Sequence, residues 1–357
     1  MENIKNTLAP QNISLIRALE LLKLNGNKCL IIVNQNKKLL GTLTDGDIRK
    51  LIISGKKLST SIKKFYNKNP KYFFFKSYSI EQLKNEFLRN KYDLIPLVDK
   101  KKRIKNIISW EEVFKNEELK KKKKKIDGIK LVIIAGGYGT RLIPFTTILP
   151  KPLIPINDKS VLEHILENFY SYGINETFIS LNFKSKTIKA YCEELKAKYN
   201  LKYVIEDKPL GTVGSIKLIK KNLGNKPFFV TNADIIINSD LEDIYDFHQK
   251  KKNDVTIIVA AKKFTIPYGI CTTNKKGLVI KIQEKPFQEL LVNTGMYVLN
   301  PDIIKLFPSN RSYDFTDLFK DLKKRNKKIG FFPVADNSWI DVGEWGEYKK
   351  SLEKFKI

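Results

Sequence analysis

Apolar positions recur with two different periods along this chain, and the change of period marks its organisation. From Ser14 to Asn25 they fall at helical spacing, Cys29 to Val33 is an unbroken apolar run, and Leu39 to Thr44 follows after a polar turn. This order predicts an amphipathic helix, a strand, a turn and a second strand. Laying the chain on itself without gaps shows the same pattern again at an offset of 65 residues. Ser14-Leu15 falls on Ser79-Ile80, Leu22 on Phe87, Val33-Asn34 on Val98-Asp99, Leu39 on Ile104, and Thr44 on Ser109. Residues 1–60 and 61–118 are therefore read as two copies of one α+β unit, each covering the other's sheet.

Between Lys115 and Gly128 the periodicity is lost, six consecutive lysines occupy Lys120 to Lys125, and the stretch ends in Asp-Gly. Residues 119–128 read as a linker. Beyond it the pattern alternates. Strands are predicted at Leu131 to Ala135, Thr177 to Leu181, Lys202 to Val204 and Pro227 to Val230, with helices at Val161 to Tyr172, Ser185 to Tyr199 and Val213 to Asn222 between them. Such alternation predicts an α/β domain over residues 129–357, Rossmann-like, with a mainly parallel sheet and helices on both faces.

Candidate chemistry begins where the first of these strands ends. Gly136, Gly137 and Gly139 would let backbone N–H groups approach a ligand at the sheet's carboxyl edge, where open α/β sheets bind their ligands. Arg141 and Lys151 then supply positive charge suited to phosphate. Pro144, Pro150, Pro152 and Pro155 are expected to hold this loop extended. A P-loop is excluded because no Lys-Ser or Lys-Thr follows at the required spacing. A dinucleotide fingerprint fits poorly, since Leu142 stands where the third glycine belongs, although Asp158 lies at a tempting distance for a ribose-binding acid.

Composition narrows the classes further. The chain has 357 residues and is 42% hydrophobic, enough to bury two or three cores. No apolar run approaches the roughly 18 to 20 residues needed to span a bilayer and no charged-then-apolar leader is present, so a cytoplasmic protein without membrane association is expected. Cys29, Cys192 and Cys271 lack metal-ligand spacing and form no disulfide framework. The formal charge of +28 raises nucleic-acid binding, but the lysines are spread along the chain and no specific nucleic acid is expected.

The stretch from Gly136 to Pro155, GGYGTRLIPFTTILPKPLIP, resembles the opening of the sugar-phosphate nucleotidyltransferases, also called nucleotide-sugar pyrophosphorylases. The resemblance implies nucleotide contacts at Ala135, Gly136, Gly137, Gly139 and Thr140, and a base-binding loop at Glu206-Asp207-Lys208-Pro209-Leu210-Gly211-Thr212. Within that loop Glu206, Pro209, Gly211 and Thr212 would meet the nucleotide. It also implies a magnesium site at Asp234 and Asp341, matching the preference of Mg²⁺ for one or two carboxylates plus phosphate oxygens. Sugar contacts are implied at Asn232, Tyr268, Gly269, Glu284, Asn293, Thr294 and Gly295. Arg141, Lys151 and Lys285 would carry catalysis by neutralising charge on the two phosphate-bearing substrates.

The order of elements in the N-terminal repeat, with GTLTDGDIR from Gly41 to Arg49, resembles a CBS-domain pair, a regulatory module that often binds adenine nucleotides. Thr44 and Asp47 would meet that ligand. The second copy departs, with Glu112 in place of the Asp and Trp110 in the turn, so at most one site is expected. Paired CBS modules commonly dimerise, and a homo-oligomer is expected.

The reaction implied is attack of a sugar-1-phosphate oxygen on the α-phosphorus of a nucleoside triphosphate. Glu206 favours GTP, because guanine shows two adjacent donors, N1–H and N2–H₂, to an acceptor-only side chain. A CBS pair ahead of such a domain most resembles the glucosamine-1-phosphate guanylyltransferases of the legionaminic acid pathway, with mannose-1-phosphate the next acceptor. Uridylyl or thymidylyl transfer, and a non-catalytic sensor of nucleotide sugars, are the alternatives. No hexapeptide-repeat β-helix follows, so no acetyl transfer is expected.

Overall fold

The computed structural model describes residues 7–25, 28–90, 92–109, 112–113, 125–196, 198–274, 276–308, 311–335, 338–343, 345–346 and 348–349. It divides into two compact units: Met1–Lys122 with Ala261–Val292, and Lys123–Ala260 with Asn293–Ile357. Trp110 and Lys120 to Lys124, where the sequence placed a turn and most of a hinge, lie outside the described residues. No helix among those described is long and apolar enough to cross a membrane.

In the first unit the repeat appears as two three-stranded sheets. One holds β1 (Leu8–Pro10), β2 (Cys29–Val33) and β3 (Leu39–Thr44), and the other β4 (Phe73–Phe74), β5 (Leu94–Val98) and β6 (Ile104–Ser109). Helix α1 (Leu15–Asn25) precedes β2, α2 (Asp45–Ile53) follows β3, and α3 (Ile80–Asn90) precedes β5. The register repeats with the sequence. Leu30 pairs with Leu43 as Ile95 pairs with Ile108, and the pairing shifts after Ile32 in one copy and after Leu97 in the other. Only the short parallel edge strand slips by one residue, Leu8 meeting Ile31 while Phe73 meets Leu97. The slip falls beside Pro96, which has no N–H to give to a ladder. Apolar residues of both copies share one core, with Ile31, Val33 and Leu39 packed with Leu94, Val98 and Ile104.

In the second unit the strands are β7 (Lys130–Ile134), the small pair β8 (Pro155–Ile156) and β9 (Lys159–Ser160), β10 (Glu176–Leu181), β11 (Asn200–Ile205), β12 (Phe228–Asn232) and β13 (Ile235–Ile237). β14 (Val255–Thr265) and β17 (Phe287–Leu299) run across the division, the hairpin of β15 (Ile270–Thr273) and β16 (Val279–Gln283) between them belongs to the first unit, and β18 (Ile329–Ala335) and β19 (Trp339–Asp341) follow in the second. The central sheet has the order β11-β10-β7-β12-β17-β14-β18. Its first four strands are parallel and β17 joins β12 antiparallel. Helices α4 (Val161–Tyr170), α5 (Ser185–Leu195), α6 (Leu241–Lys251) and α7 (Phe315–Lys324) pack around it. One core cluster gathers Val132, Phe228, Val230, Tyr297, Phe315 and Leu318 from strands and α7.

One expectation is corrected. The proline-rich loop after the glycines is not extended but winds through three short helical turns, Thr140–Leu142, Phe145–Ile148 and Lys151–Leu153. Proline's fixed φ suits the start of such a turn as well as an extended segment, and Pro152 sits at the start of the third.

Candidate active site

The carboxyl ends of β7 and β12, adjacent parallel strands, deliver Ala135 and Asn232 to the same edge, and a cleft of about 390 Å³ opens there. Its lining includes Gly136, Gly137, Gly139, Thr140 and Arg141 from the glycine turn, with Lys151 from the third helical turn. Glu206, Pro209, Gly211 and Thr212 line it from the loop after β11, and Asn232 and Asp234 from the end of β12. Thus the residues expected to bind nucleotide lie around a single cavity, although they come from two separate stretches.

Asp341 reaches the charged end of this cleft by strand pairing. β13 and β19 run antiparallel with Ile235 opposite Asp341, and the Val342 N–H donates to the Asp234 carbonyl at 3.0 Å. Lys151 Nζ forms an ion pair with Asp234 Oδ2. Gly343 completes the arrangement. A Cβ there would stand 2.6 Å from Asp341 Oδ1, 3.0 Å from Lys151 Nζ and 3.4 Å from Arg141 Nη2, so any side chain at this position would displace the charged ends of all three. Burial, and then the neighbouring Asp234 charge, push the Asp341 carboxyl above its ordinary range, against the pull of the Gly343 N–H, Lys151 and Arg141. Asp234 Oδ1 is buried and has no hydrogen-bond partner among the described residues.

An orphaned carboxylate oxygen beside a second carboxylate that resists ionisation is the donor set a hard divalent cation suits. No group of three or more His, Cys, Asp or Glu side chains positioned for a metal occurs among the described residues. Two carboxylates suffice for an ion that takes its remaining oxygens from phosphate and water.

The base loop is braced from within. Glu206 is only 6% exposed; its Oε1 accepts from Ser180 Oγ and its Oε2 accepts from the Leu210 N–H at 2.9 Å. Gly211 has φ +79° and faces the Tyr313 carbonyl 2.7 Å from where a Cβ would lie. Asp314, which also lines the cleft, accepts from the Thr212 N–H at 2.8 Å and Thr212 Oγ1 at 3.1 Å. Sequence reasoning missed Asp314. Its only local signal is a position before α7 that reads as an ordinary helix cap, and its partner lies about a hundred residues earlier.

The residues expected to meet the sugar divide. Asn232 and Gly295 are adjacent, a Cβ at Gly295 falling 2.7 Å from Asn232 Nδ2. Asn293 accepts from the Gly295 N–H at 3.1 Å, and buried Thr294 donates to the Ile258 carbonyl at 2.8 Å. Tyr268, Gly269, Glu284 and Lys285 belong instead to the first compact unit, on the hairpin where Ile270 pairs with Gln283. There Gly269 leaves room for Glu284 Oε2, 3.0 Å from a would-be Cβ, and Tyr268 is well exposed.

A family model described as nucleotidyl transferase matches residues 130–356. The chain belongs to that family. A CBS-domain model matches residues 7–54 as well, the first copy of the repeat. This nucleotidyl transferase is 30% identical over 224 residues to a mannose-1-phosphate guanyltransferase of Yarrowia lipolytica, a stretch covering 60% of this chain and 61% of that protein. The crystal structure of HddC from Yersinia pseudotuberculosis is similar over 64% of this chain and all of its own, with 27% identity and a TM-score of 0.52. A second structure of HddC, complexed with GMP-PN, gives a TM-score of 0.51. Members of the nucleotidyl transferase family generally use a divalent metal ion, in keeping with the two carboxylates.

In the CBS copies, the residues expected to meet an adenine nucleotide have local partners. The Thr44 N–H and Oγ1 donate to Asp47 Oδ2 at 3.0 and 2.7 Å, and the Asp47 N–H donates to Thr44 Oγ1 at 3.1 Å. In the second copy the Ser109 N–H donates to Glu112 Oε2 at 2.9 Å, and the Glu112 N–H to Ser109 Oγ at 3.2 Å. Both pairs are reciprocal, each side chain accepting from the other residue's N–H, and the first caps α2. Glu112 therefore does the same local work as Asp47.

Proposed function

We propose that the protein transfers GMP from GTP to a sugar-1-phosphate, giving a GDP-sugar and pyrophosphate in the cytoplasm. The observation that carries this reading is the convergence of Arg141, Lys151 and Asp341 at Gly343, with Asp234 paired to Lys151, beside a glycine-lined cleft at the carboxyl edge of β7 and β12. These charged groups, two cations among them, suit two phosphate-bearing substrates.

A phosphate monoester is largely dianionic at neutral pH, its second pKa being about 6, so it needs no general base. One of its oxygens forms the new bond to the α-phosphorus of GTP, the bond from that phosphorus to the β-phosphate bridge breaks, and the electron pair leaves on pyrophosphate. Arg141 holds the leaving end of the triphosphate and Lys151 the α-phosphate, while Lys285 meets the incoming phosphate. Asp234 and Asp341 would hold Mg²⁺, which when bound neutralises charge on the reacting phosphates. With no covalent chemistry for the protein to perform, rate comes from in-line positioning and charge neutralisation.

Guanine is favoured by Glu206 in the cleft and by the names of the similar proteins, a mannose-1-phosphate guanyltransferase and HddC bound to GMP-PN. Glucosamine-1-phosphate is the acceptor favoured by the pairing of CBS copies with this domain, and mannose-1-phosphate is next. A matrix of four nucleoside triphosphates against glucosamine-, mannose- and glucose-1-phosphate, scored for pyrophosphate, tests the reading. The expected result is release with GTP and glucosamine-1-phosphate above every other pair. Release confined to UTP or dTTP would replace the base assignment, and no release with any pair would remove the catalytic reading.

A further inference from the structure

Guanine differs from hypoxanthine only by its 2-amino group, and from the other bases by the two adjacent donors N1–H and N2–H₂. Reading both donors takes two acceptor positions. Glu206 offers fewer than its sequence position suggests, because Oε1 is engaged by Ser180 and Oε2 by the Leu210 N–H. A carboxylate keeps some lone-pair capacity after such bonds, enough for one more donor on the same edge.

A second carboxylate lines the same cleft. Asp314 directs one oxygen, Oδ1, to both donors of Thr212, and its Oδ2 has no hydrogen bond among the described residues. Asp314 also stands before α7 without capping it. The Phe315 N–H donates to Thr212 Oγ1 at 3.1 Å, so the start of α7 is tied to the base loop while the Asp314 carboxylate makes no bond to the helix. The segment is held firmly against the base loop: the Tyr313 N–H donates to the Leu210 carbonyl at 2.8 Å, and the Tyr313 carbonyl accepts from the Val213 and Gly214 N–H groups at 3.1 and 3.2 Å.

We propose that Asp314 is a specificity residue, its Oδ2 accepting from the 2-amino group of guanine while Glu206 accepts from N1–H. The inference rests on the guanylyl-transfer reading and adds the second acceptor. Adenine presents an acceptor at N1 and no amino group at C2, and uracil and thymine place a carbonyl beside their single N–H, so an uncommitted carboxylate disfavours all three.

The test compares kcat/KM for GTP and ITP in the parent, Asp314→Asn, Asp314→Ser and Glu206→Gln, with melting temperature as a check on folding. ITP lacks only the 2-amino group. The parent should prefer GTP by about tenfold or more, the scale of one lost polar pairing at a built site. Asp314→Asn keeps an oxygen for Thr212 but presents an NH₂ to an NH₂, and its GTP-to-ITP ratio should fall to about one. Asp314→Ser, which also keeps an acceptor near Thr212, should lose the same discrimination if the Asn variant fails to fold. Glu206→Gln should lower both nucleotides together, since N1–H is common to them. A parent ratio near one, or an unchanged ratio in both folded Asp314 variants, overturns the proposal and leaves guanylyl transfer standing. A parent that turns over neither GTP nor ITP overturns both.

Discussion

Asp341 opposes folding and serves the site, and the two effects can be separated. Its folded-state carboxyl is raised above the ordinary value of 3.8 by burial and by Asp234. A raised acid favours the folded state below its unfolded value, and that contribution is lost as pH rises through the folded value, so at neutral pH the ionised side chain is a cost. Asp341→Asn should therefore melt at a higher temperature than the parent at pH 7 in the presence of a chelator. Its turnover should fall at least about a hundredfold, the scale for removing one charge-placing group. Near-parental turnover at saturating Mg²⁺ would take Asp341 out of the site. Arg141, Lys151 and Asp234 were legible in the sequence because each lies within a few residues of a strand end or a fixed proline-glycine pattern. Asp314 was not, because its role depends on a bond to Thr212 that no local spacing encodes.

Among the elements, the reciprocal bonds at Thr44 and Ser109 show how a motif can have a local cause. The reciprocal bonds of Thr44 with Asp47 cap α2, and Thr44→Ala should destabilise the protein by about 1 kcal/mol, the usual worth of such a cap. Urea unfolding measures it. AMP, ADP and ATP titrations of the parent, followed by melting temperature, show whether the same residues also hold a nucleotide. The 65-residue offset gave the order of elements in both copies, and the hairpin register and its bulge turn out to repeat at the same offset, since apolar pattern fixes which residues face the core. It could not give the slipped edge strand, where two residues of pairing carry little pattern. At α6 the buried His248 ring contacts Thr256 Oγ1 at 2.9 Å and Asn300 Oδ1 at 3.3 Å, and burial lowers its pKa below 6.5. The unfolded chain therefore binds the extra proton first. Stability is full above about 6.5 and falls as pH drops below it, and His248→Gln should flatten that part of a melting-temperature profile against pH.

At the scale of the whole molecule, the partition of the chain differs from its linear order. Residues 261–292, which follow the catalytic strands in sequence, form one compact unit with the CBS copies. Glu20 of α1 accepts from Lys263 at 3.3 Å, and the Lys263 ammonium lies 4.0 Å from the centre of the Phe287 ring. An ion pair of this kind contributes only about 0.2 to 1 kcal/mol, so that pair alone does little to hold the hairpin in place. The nucleotide cleft, by contrast, is lined wholly by residues of the other unit. On the proposed reading, which assigns Tyr268, Glu284 and Lys285 to the sugar-1-phosphate, removing residues 1–126 should act on that substrate. The expected outcome is a KM for the sugar-1-phosphate raised about fivefold or more, with the KM for GTP changed less than about twofold, a split that removal of uniform acceptor binding produces. Glu20→Ala in the full chain should change neither by more than about twofold. Steady-state kinetics with each substrate varied in turn checks all three numbers. Equal loss for GTP and acceptor on truncation would mean that the CBS unit supports the catalytic domain as a whole, and an unchanged acceptor KM would detach the hairpin residues from acceptor binding.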